Sequence, residues 1–209
     1  MNLTEADKAY IKIKEKIITL EMAPGSVIRE SELMEELELG RTPIREALMQ
    51  LESDKLVTVV PRRGIFVTDI SITDLQQLYE IRVELETLCA CLATERITPE
   101  QLAAMRALVA ELHDMNTSDP KRLMAWDRRF HRLLAEATAN KFLSHECELF
   151  YNLSLRLWHF SLDRLNPEDL DLNSHIEILA AVEARNNERA QQVMRRHIQE
   201  FQEVLKLRF

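Results

Sequence analysis

Gly40-Arg41-Thr42-Pro43-Ile44-Arg45-Glu46-Ala47-Leu48-Met49-Gln50-Leu51 is the stretch that decides how this chain is read. Ile44, Ala47, Leu48 and Leu51 stand at i, i+3, i+4 and i+7, the spacing of one buried stripe on a helix over 41–53. Pro43 falls in the first turn, where a missing N–H deprives the helix of nothing. Toward the N-terminus, Tyr10, Ile13, Ile17 and Leu20 predict a helix over 8–22 that Ala23-Pro24-Gly25 ends. Leu33, Met34 and Leu37 predict a shorter helix at about 30–37. Toward the C-terminus the period changes. Leu56-Val57-Thr58-Val59-Val60 and Ile65-Phe66-Val67 are two β-rich runs, and Pro61-Arg62-Arg63-Gly64 between them is a hairpin signal. Three short helices and a β-ribbon within residues 1–70 form the plan of a winged helix-turn-helix.

Arg41 and Arg45 are four residues apart at the start of the third helix, so they project together, away from the Ile44, Leu48 and Leu51 stripe. In a helix-turn-helix that end of the second helix enters the major groove. An arginine there donates twice to guanine O6 and N7, worth about 1–3 kcal/mol of discrimination. Thr42 suits a phosphate or a base edge. Arg62 and Arg63 at the ribbon tip suit phosphates or the minor groove, and Gly64 lets the backbone turn closely. The competing reading is a solvated helix face and a charged turn. Residues 1–70 hold 10 Lys and Arg against 13 Asp and Glu, a net of −3, so placement and not total charge carries the DNA reading.

The composition narrows the rest. Of 209 residues, 46% are hydrophobic and 30% charged, which describes a globular protein and not a disordered tail. There are 3 glycines, Gly25, Gly40 and Gly64, so neither G-x-G-x-x-G nor a P-loop can be written in this chain. The segment after Gly64 lacks the residue that tight hairpins use, which disfavours β architecture there. No apolar run approaches the roughly 18 residues of a membrane helix, and the polar start, with Glu5 and Asp7, is not a signal peptide. Cys89, Cys91 and Cys147 have no metal or redox spacing, and are expected as small buried side chains in a reducing cytoplasm.

Residues 71–209 read as helix throughout. Expected spans are 74–96, 99–116, 120–139, 141–163, 168–185 and 188–207, about six helices whose short connections imply an antiparallel bundle. Thr98-Pro99-Glu100-Gln101 is a capping box, Asp119-Pro120 opens another helix, and Ser174 with Glu177 reads as a second box. The fold class is therefore mainly α, a winged helix-turn-helix (1–70) followed by an all-α bundle (71–209). Polar groups interrupt the bundle's inward stripes. Asp127 and His131 lie with Leu123, Phe130 and Leu134; His175 lies with Leu172, Ile176, Leu179 and Val182; His197 lies with Val193, Met194, Phe201 and Leu205. Three inward histidines and one inward aspartate from three helices would, if converged, suit Zn²⁺ or a similar divalent ion such as Ni²⁺ or Mn²⁺. Alternatively each is a hydrogen-bonded core residue. His113 and His145 lack the pattern and read as surface, while His159 stands as a pocket candidate.

The residues 40–48, with Leu51, Leu56-Val57 and Pro61-Arg62-Arg63-Gly64-Ile65-Phe66-Val67, resemble the GntR superfamily of bacterial transcription regulators, and its FadR-like branch in particular. The usual serine before the arginine is Gly40 here, and the usual glycines at the turn and before Leu56 are Glu38 and Lys55. Residues 72–205 resemble the FCD ligand-binding domain, carried by Arg82-x-x-x-Glu86, Asp127-x-x-Phe130-His131, and His175 and His197; six helices point to its VanR-type subgroup. The resemblance implies a dimer that binds operator DNA through Arg41, Thr42, Arg45 and the wing. It also implies a divalent ion, zinc first, on Asp127, His131, His175 and His197. A small carboxylate effector at that ion would be held by Arg82, whose alternative is an ion pair with Glu86. Glu86, Arg156 and His159 complete the effector candidates. The expectation is a cytoplasmic, homodimeric regulator reading a palindromic site, not an enzyme; repressor and activator both fit. A sensor of the metal itself is the alternative. A metallohydrolase is the remote one, because no H-E-x-x-H is present and Asp127 as a ligand leaves no evident general base.

Overall fold

Thr4 and Asp7 cap each other reciprocally: the Thr4 hydroxyl accepts the Asp7 N–H (3.1 Å) and the Asp7 carboxylate accepts the Thr4 N–H (3.0 Å). In the computed structural model, which describes residues 3–115, 119–164 and 172–207, this box starts α1 (Glu5–Ile18) earlier than the apolar spacing predicts. The helix also ends earlier. Leu20 takes a left-handed conformation (φ 60°), which closes α1 before Ala23-Pro24 is reached. Then follow β1 (Val27–Ile28), α2 (Glu30–Leu37), α3 (Arg41–Ser53), β2 (Val57–Val60) and β3 (Gly64–Val67). The sheet order is β1-β3-β2, antiparallel, with Val27 opposite Phe66 and Val57 opposite Val67. At two residues, β1 is too short to show a period, so the sequence predicted only the ribbon of β2 and β3.

The stripe of α3 is buried as read. Ile44, Ala47, Leu48 and Leu51 join Ala9, Ile13 and Ile17 of α1, with α3 also packed on α2 and β2. Glu38 and Lys55 both adopt left-handed backbone (φ 55° and 63°), so the two turns keep the geometry that glycine ordinarily supplies. The Arg63 N–H donates to the Val60 carbonyl (3.0 Å), and Arg62 between them sits at φ 63°, turning the wing.

Two units emerge: Met1–Ser71 with Leu155–Phe160, and Ile72–Ser154 with Ser161–Phe209. The second is built from α4 (Ile72–Arg96), α5 (Pro99–Asp114), α6 (Pro120–Ala137), α7 (Lys141–Ser161), α8 (Asn173–Glu183) and α9 (Asn187–Lys206), six helices among the described residues. Residues 155–160 of α7 group with the first unit, where the sequence placed them in the bundle. Within the bundle α4 packs chiefly on α9, and also on α6 and α8; α5 packs on α6 and α8. Leu75, Tyr79, Met105, Leu108, Trp126, Phe130, Ile178 and Met194 are fully buried core. The Trp126 indole N–H finds the Leu108 carbonyl at 2.8 Å, which satisfies a buried donor.

Thr98 and Asp119 cap α5 and α6 as expected. Other local expectations are corrected. Ser174 is not a cap: α8 begins at Asn173, its N-cap Leu172 makes no side-chain bond, and Ser174 faces inward. The expected start at 168 lies outside the described residues. Ile176 is 49% exposed, and Ile178 takes the inward place beside His175. Asn186 caps α9 by accepting the Arg189 N–H (3.0 Å). Cys89 and Cys147 are buried with their sulfurs 3.3 Å apart, whereas Cys91 is half-buried. Among the described residues no helix is long and apolar enough to cross a membrane.

Candidate functional site

One turn of α6 separates Asp127 from His131, and the 3.6-residue period brings both to the same inward side. α8 supplies His175 and α9 supplies His197. One ligand atom from each of the four lies within 4.8 Å of every other. His175 Nε2 is 2.8 Å from Asp127 Oδ1, His131 Nε2 is 3.6 Å from the same oxygen, and His131 Nε2 is 3.3 Å from His197 Nε2. Donors bound at about 2.1 Å to one ion are about 3.0–3.4 Å apart as neighbours and about 4.2 Å apart across it. The observed separations have that scale. Three imidazoles and a carboxylate also match the ligand preference of a borderline divalent ion, so the residues present fit one.

The surrounding groups hold three of the ligands by their other atoms. Ser174 Oγ is 2.8 Å from His197 Nδ1. The Tyr151 hydroxyl on α7 donates to the second oxygen of Asp127. Glu86 on α4 pairs with His131 Nδ1 through one oxygen, while its other oxygen accepts from Arg82 Nε at 2.7 Å and from Arg82 Nη2. Arg82 lies over the rings of Tyr79 and Tyr151, 5.2 Å from each centroid. The edges of Trp126 and Phe130 confine His175, whose Nδ1 is buried with no hydrogen-bond partner among the described residues.

The electrostatics follow from this packing. Burial alone would raise the Glu86 carboxyl, but Arg82 and His131 outweigh it and hold the group at about 2. Burial would lower His131, yet Glu86 and Asp127 carry it up to about 10. Asp127 is driven well below the carboxylate range: burial opposes this, and the charges and hydrogen bonds of His131 and His175 prevail. His197 goes well below the usual imidazole range through burial and through the neighbouring His175 and His131. Without an ion the centre is thus two ionised carboxylates, a protonated His131 between them, and a His197 imidazole that resists protonation.

The effector candidates fall in two groups. Arg82, 3% exposed, is engaged with Glu86, the ion-pair alternative, because the i, i+4 spacing on α4 brings the two groups together in a dry interior. Arg156 is buried and donates to the Thr68 hydroxyl and carbonyl, both at 2.7 Å. It and the half-buried His159 group with the first unit, not with the histidine cluster. His113 and His145 are exposed. Tyr151 and Ser174 escaped the sequence reading: a tyrosine on an apolar stripe reads as core, and Ser174 mimicked a cap.

In the first unit, Arg41, Thr42 and Arg45 are exposed at the start of α3, whose N-cap Gly40 offers no side-chain bond. Arg45 Nε is 3.0 Å from each oxygen of Glu30 on α2, an arrangement that occupies Nε while the side chain stays exposed. Arg62, Arg63 and Gly64 are exposed at the wing tip, and Gly64 (φ 117°) has open space where a Cβ would stand.

The family of bacterial regulatory proteins called gntR matches residues 5–67, and the FCD domain family matches residues 77–200. The transcriptional repressor GlaR of Escherichia coli K12 is 32% identical over 95% of this chain and 94% of its own. The transcriptional repressor RspR of the same strain is 26% identical over 94% of this chain and 87% of its own. The solved structure of E. coli McbR/YncC superposes with a TM-score of 0.87, at 23% identity, covering 99% of both chains.

Proposed function

This chain belongs to the gntR family of bacterial regulatory proteins and is a DNA-binding transcription regulator with an FCD domain, not an enzyme; from that premise we propose that a small organic acid controls its operator binding through a divalent ion held by Asp127, His131, His175 and His197. The observation that carries the proposal is the convergence of those four ligand atoms within 4.8 Å from three helices of the bundle. A bound zinc ion would supply Lewis acidity and open coordination positions that a carboxylate fills. The chain's own groups do the rest. Asp127 stays ionised, His197 stays neutral, and Tyr151 and Ser174 fix their directions.

The DNA half of the proposal assigns base reading to Arg41, Thr42 and Arg45, and backbone contacts to Arg62, Arg63 and Gly64, in the cytoplasm. Two copies would read a palindrome, since a two-fold dimer needs matching half-sites. The exposed Ile81 and Leu88, seven apart on α4, give the second copy an apolar seam. Of the three similar proteins described above, GlaR and RspR are named repressors, which favours that sign. The acid can act only by preferring one arrangement of the dimer over another.

The test combines metal analysis of the purified protein with operator-binding titrations, with and without chelator, across a panel of small carboxylic acids. About one ion per chain and an acid response that chelation abolishes are expected. Response to the ion alone, with no acid effect, would replace the acid reading with that of a metal sensor. Absence of bound ion after reconstitution would defeat it.

A further inference from the structure

α4 contributes no ligand to the four-residue cluster, yet it places a buried carboxylate directly against one. The Glu86 side chain is divided: one oxygen faces the Arg82 Nε and Nη2 donors, the other faces His131 Nδ1. A plain buried ion pair would turn both oxygens to the guanidinium, the fork-to-fork arrangement that arginine and carboxylate favour. Diverting one oxygen to an imidazole leaves Arg82 one oxygen of Glu86, with the Tyr79 hydroxyl 3.4 Å from Nη1, and gives His131 a charged anchor. The three ligand histidines differ in this respect. Among the described residues neither His175 Nδ1 nor His131 Nδ1 makes a hydrogen bond of full geometry, but His131 Nδ1 has a carboxylate oxygen of Glu86 against it and His175 Nδ1 does not, while His197 Nδ1 has a neutral hydroxyl. Only for His131 is the far nitrogen held by a charge, and Arg82, Glu86 and His131 are all buried.

Resting on the ion-binding reading of this same cluster, we propose that Glu86, anchored by Arg82, is a positioning residue that holds the proton on His131 Nδ1 and aims the Nε2 lone pair at the ion. A histidine ligand has two tautomers and two ring flips, and the hydrogen bond at one nitrogen selects which nitrogen is free to ligate. With Nδ1–H donating to Glu86, the ring presents Nε2 toward His197 Nε2 and Asp127, where the structure has it. The Arg82-x-x-x-Glu86 pair therefore serves the ion from a helix that contributes no ligand to it.

The experiment uses full-length protein and Zn²⁺ in competition with a chromophoric chelator. Glu86→Gln is expected to weaken Zn²⁺ binding by about 10–100-fold, and Thr87→Val, a buried neighbour outside the cluster, to leave it within about twofold of wild type. In zinc-loaded wild type labelled with ¹⁵N-histidine, through-bond correlation is expected to show the His131 proton on Nδ1, slow to exchange. That readout needs no Glu86 variant to fold. Unchanged affinity in Glu86→Gln, or a His131 proton found on Nε2, overturns the positioning role while leaving the ion in place. A wild-type chain that takes up no Zn²⁺ overturns the ion reading itself, and the positioning role falls with it.

Discussion

Arg45 shows how one side chain joins local structure to recognition. Its Nε is held by Glu30, and the side chain stays exposed at the start of α3. Arg45→Ala should lose about 1–3 kcal/mol of discrimination at one base step of each half-site, read as operator against scrambled DNA by fluorescence anisotropy. The melting of the bundle should not move, because Arg45 is exposed and lies in the other unit. His131 and Glu86 give the ion-free protein a pH dependence with two signs. Glu86 titrates at about 2 in the fold, so its contribution is present above its ordinary value of about 4.5 and lost as pH falls toward 2. His131 titrates at about 10, so its contribution is complete below about 6.5 and lost as pH rises toward 10. Denaturant midpoints of chelated protein across that range should fall at both ends, and Glu86→Gln should flatten the acid limb.

At the scale of elements, the turns of the winged domain hold residues against their preference. Glu38 ends α2 and Lys55 follows α3, both exposed and both in left-handed backbone that disfavours any side chain with a Cβ. Glu38→Gly and Lys55→Gly should each stabilise this domain by about 1 kcal/mol. The check is a higher urea midpoint with an unchanged slope. Gly40→Ser should add a few tenths of a kcal/mol by restoring a hydroxyl cap to α3. Gly40 has ordinary backbone, and its added Cβ would rest 3.8 Å from Pro43. These changes leave Arg41, Thr42 and Arg45 untouched, so operator affinity should follow stability only.

For the whole molecule, the consequence is linkage. Any ion that binds the folded bundle and not the unfolded chain stabilises it, by about 2.7 kcal/mol at a free concentration one hundred times Kd. Chelation should therefore lower the bundle's melting temperature and leave the winged domain's transition unmoved, the two being distinct units. Leu88→Arg, on the exposed seam of α4, should shift sedimentation toward monomer and weaken operator binding by loss of the paired half-site, while the ion-to-chain ratio stays the same.

What the sequence determined alone was whatever a period or a short local pattern can carry. The α3 stripe, the Thr98 and Asp119 caps, the ribbon of β2 and β3, and the inward placing of Asp127, His131 and His175 were all written along single helices or strands. The Ser174 cap misled because a cap motif does not fix the residue at which a helix starts: α8 begins one residue earlier, at Asn173, behind an uncapped Leu172. Tertiary structure decided everything that joins one element to another. It set the strand β1 against β3, turned Glu86 between Arg82 and His131, brought Tyr151 and Ser174 to the ligands, and put Arg156 on Thr68. Helical periodicity fixes the side on which a residue lies, but it holds no information on the rotation and offset of one helix against the next. Those are set by packing the whole core, and so the partner of a buried charge is known only when the core is.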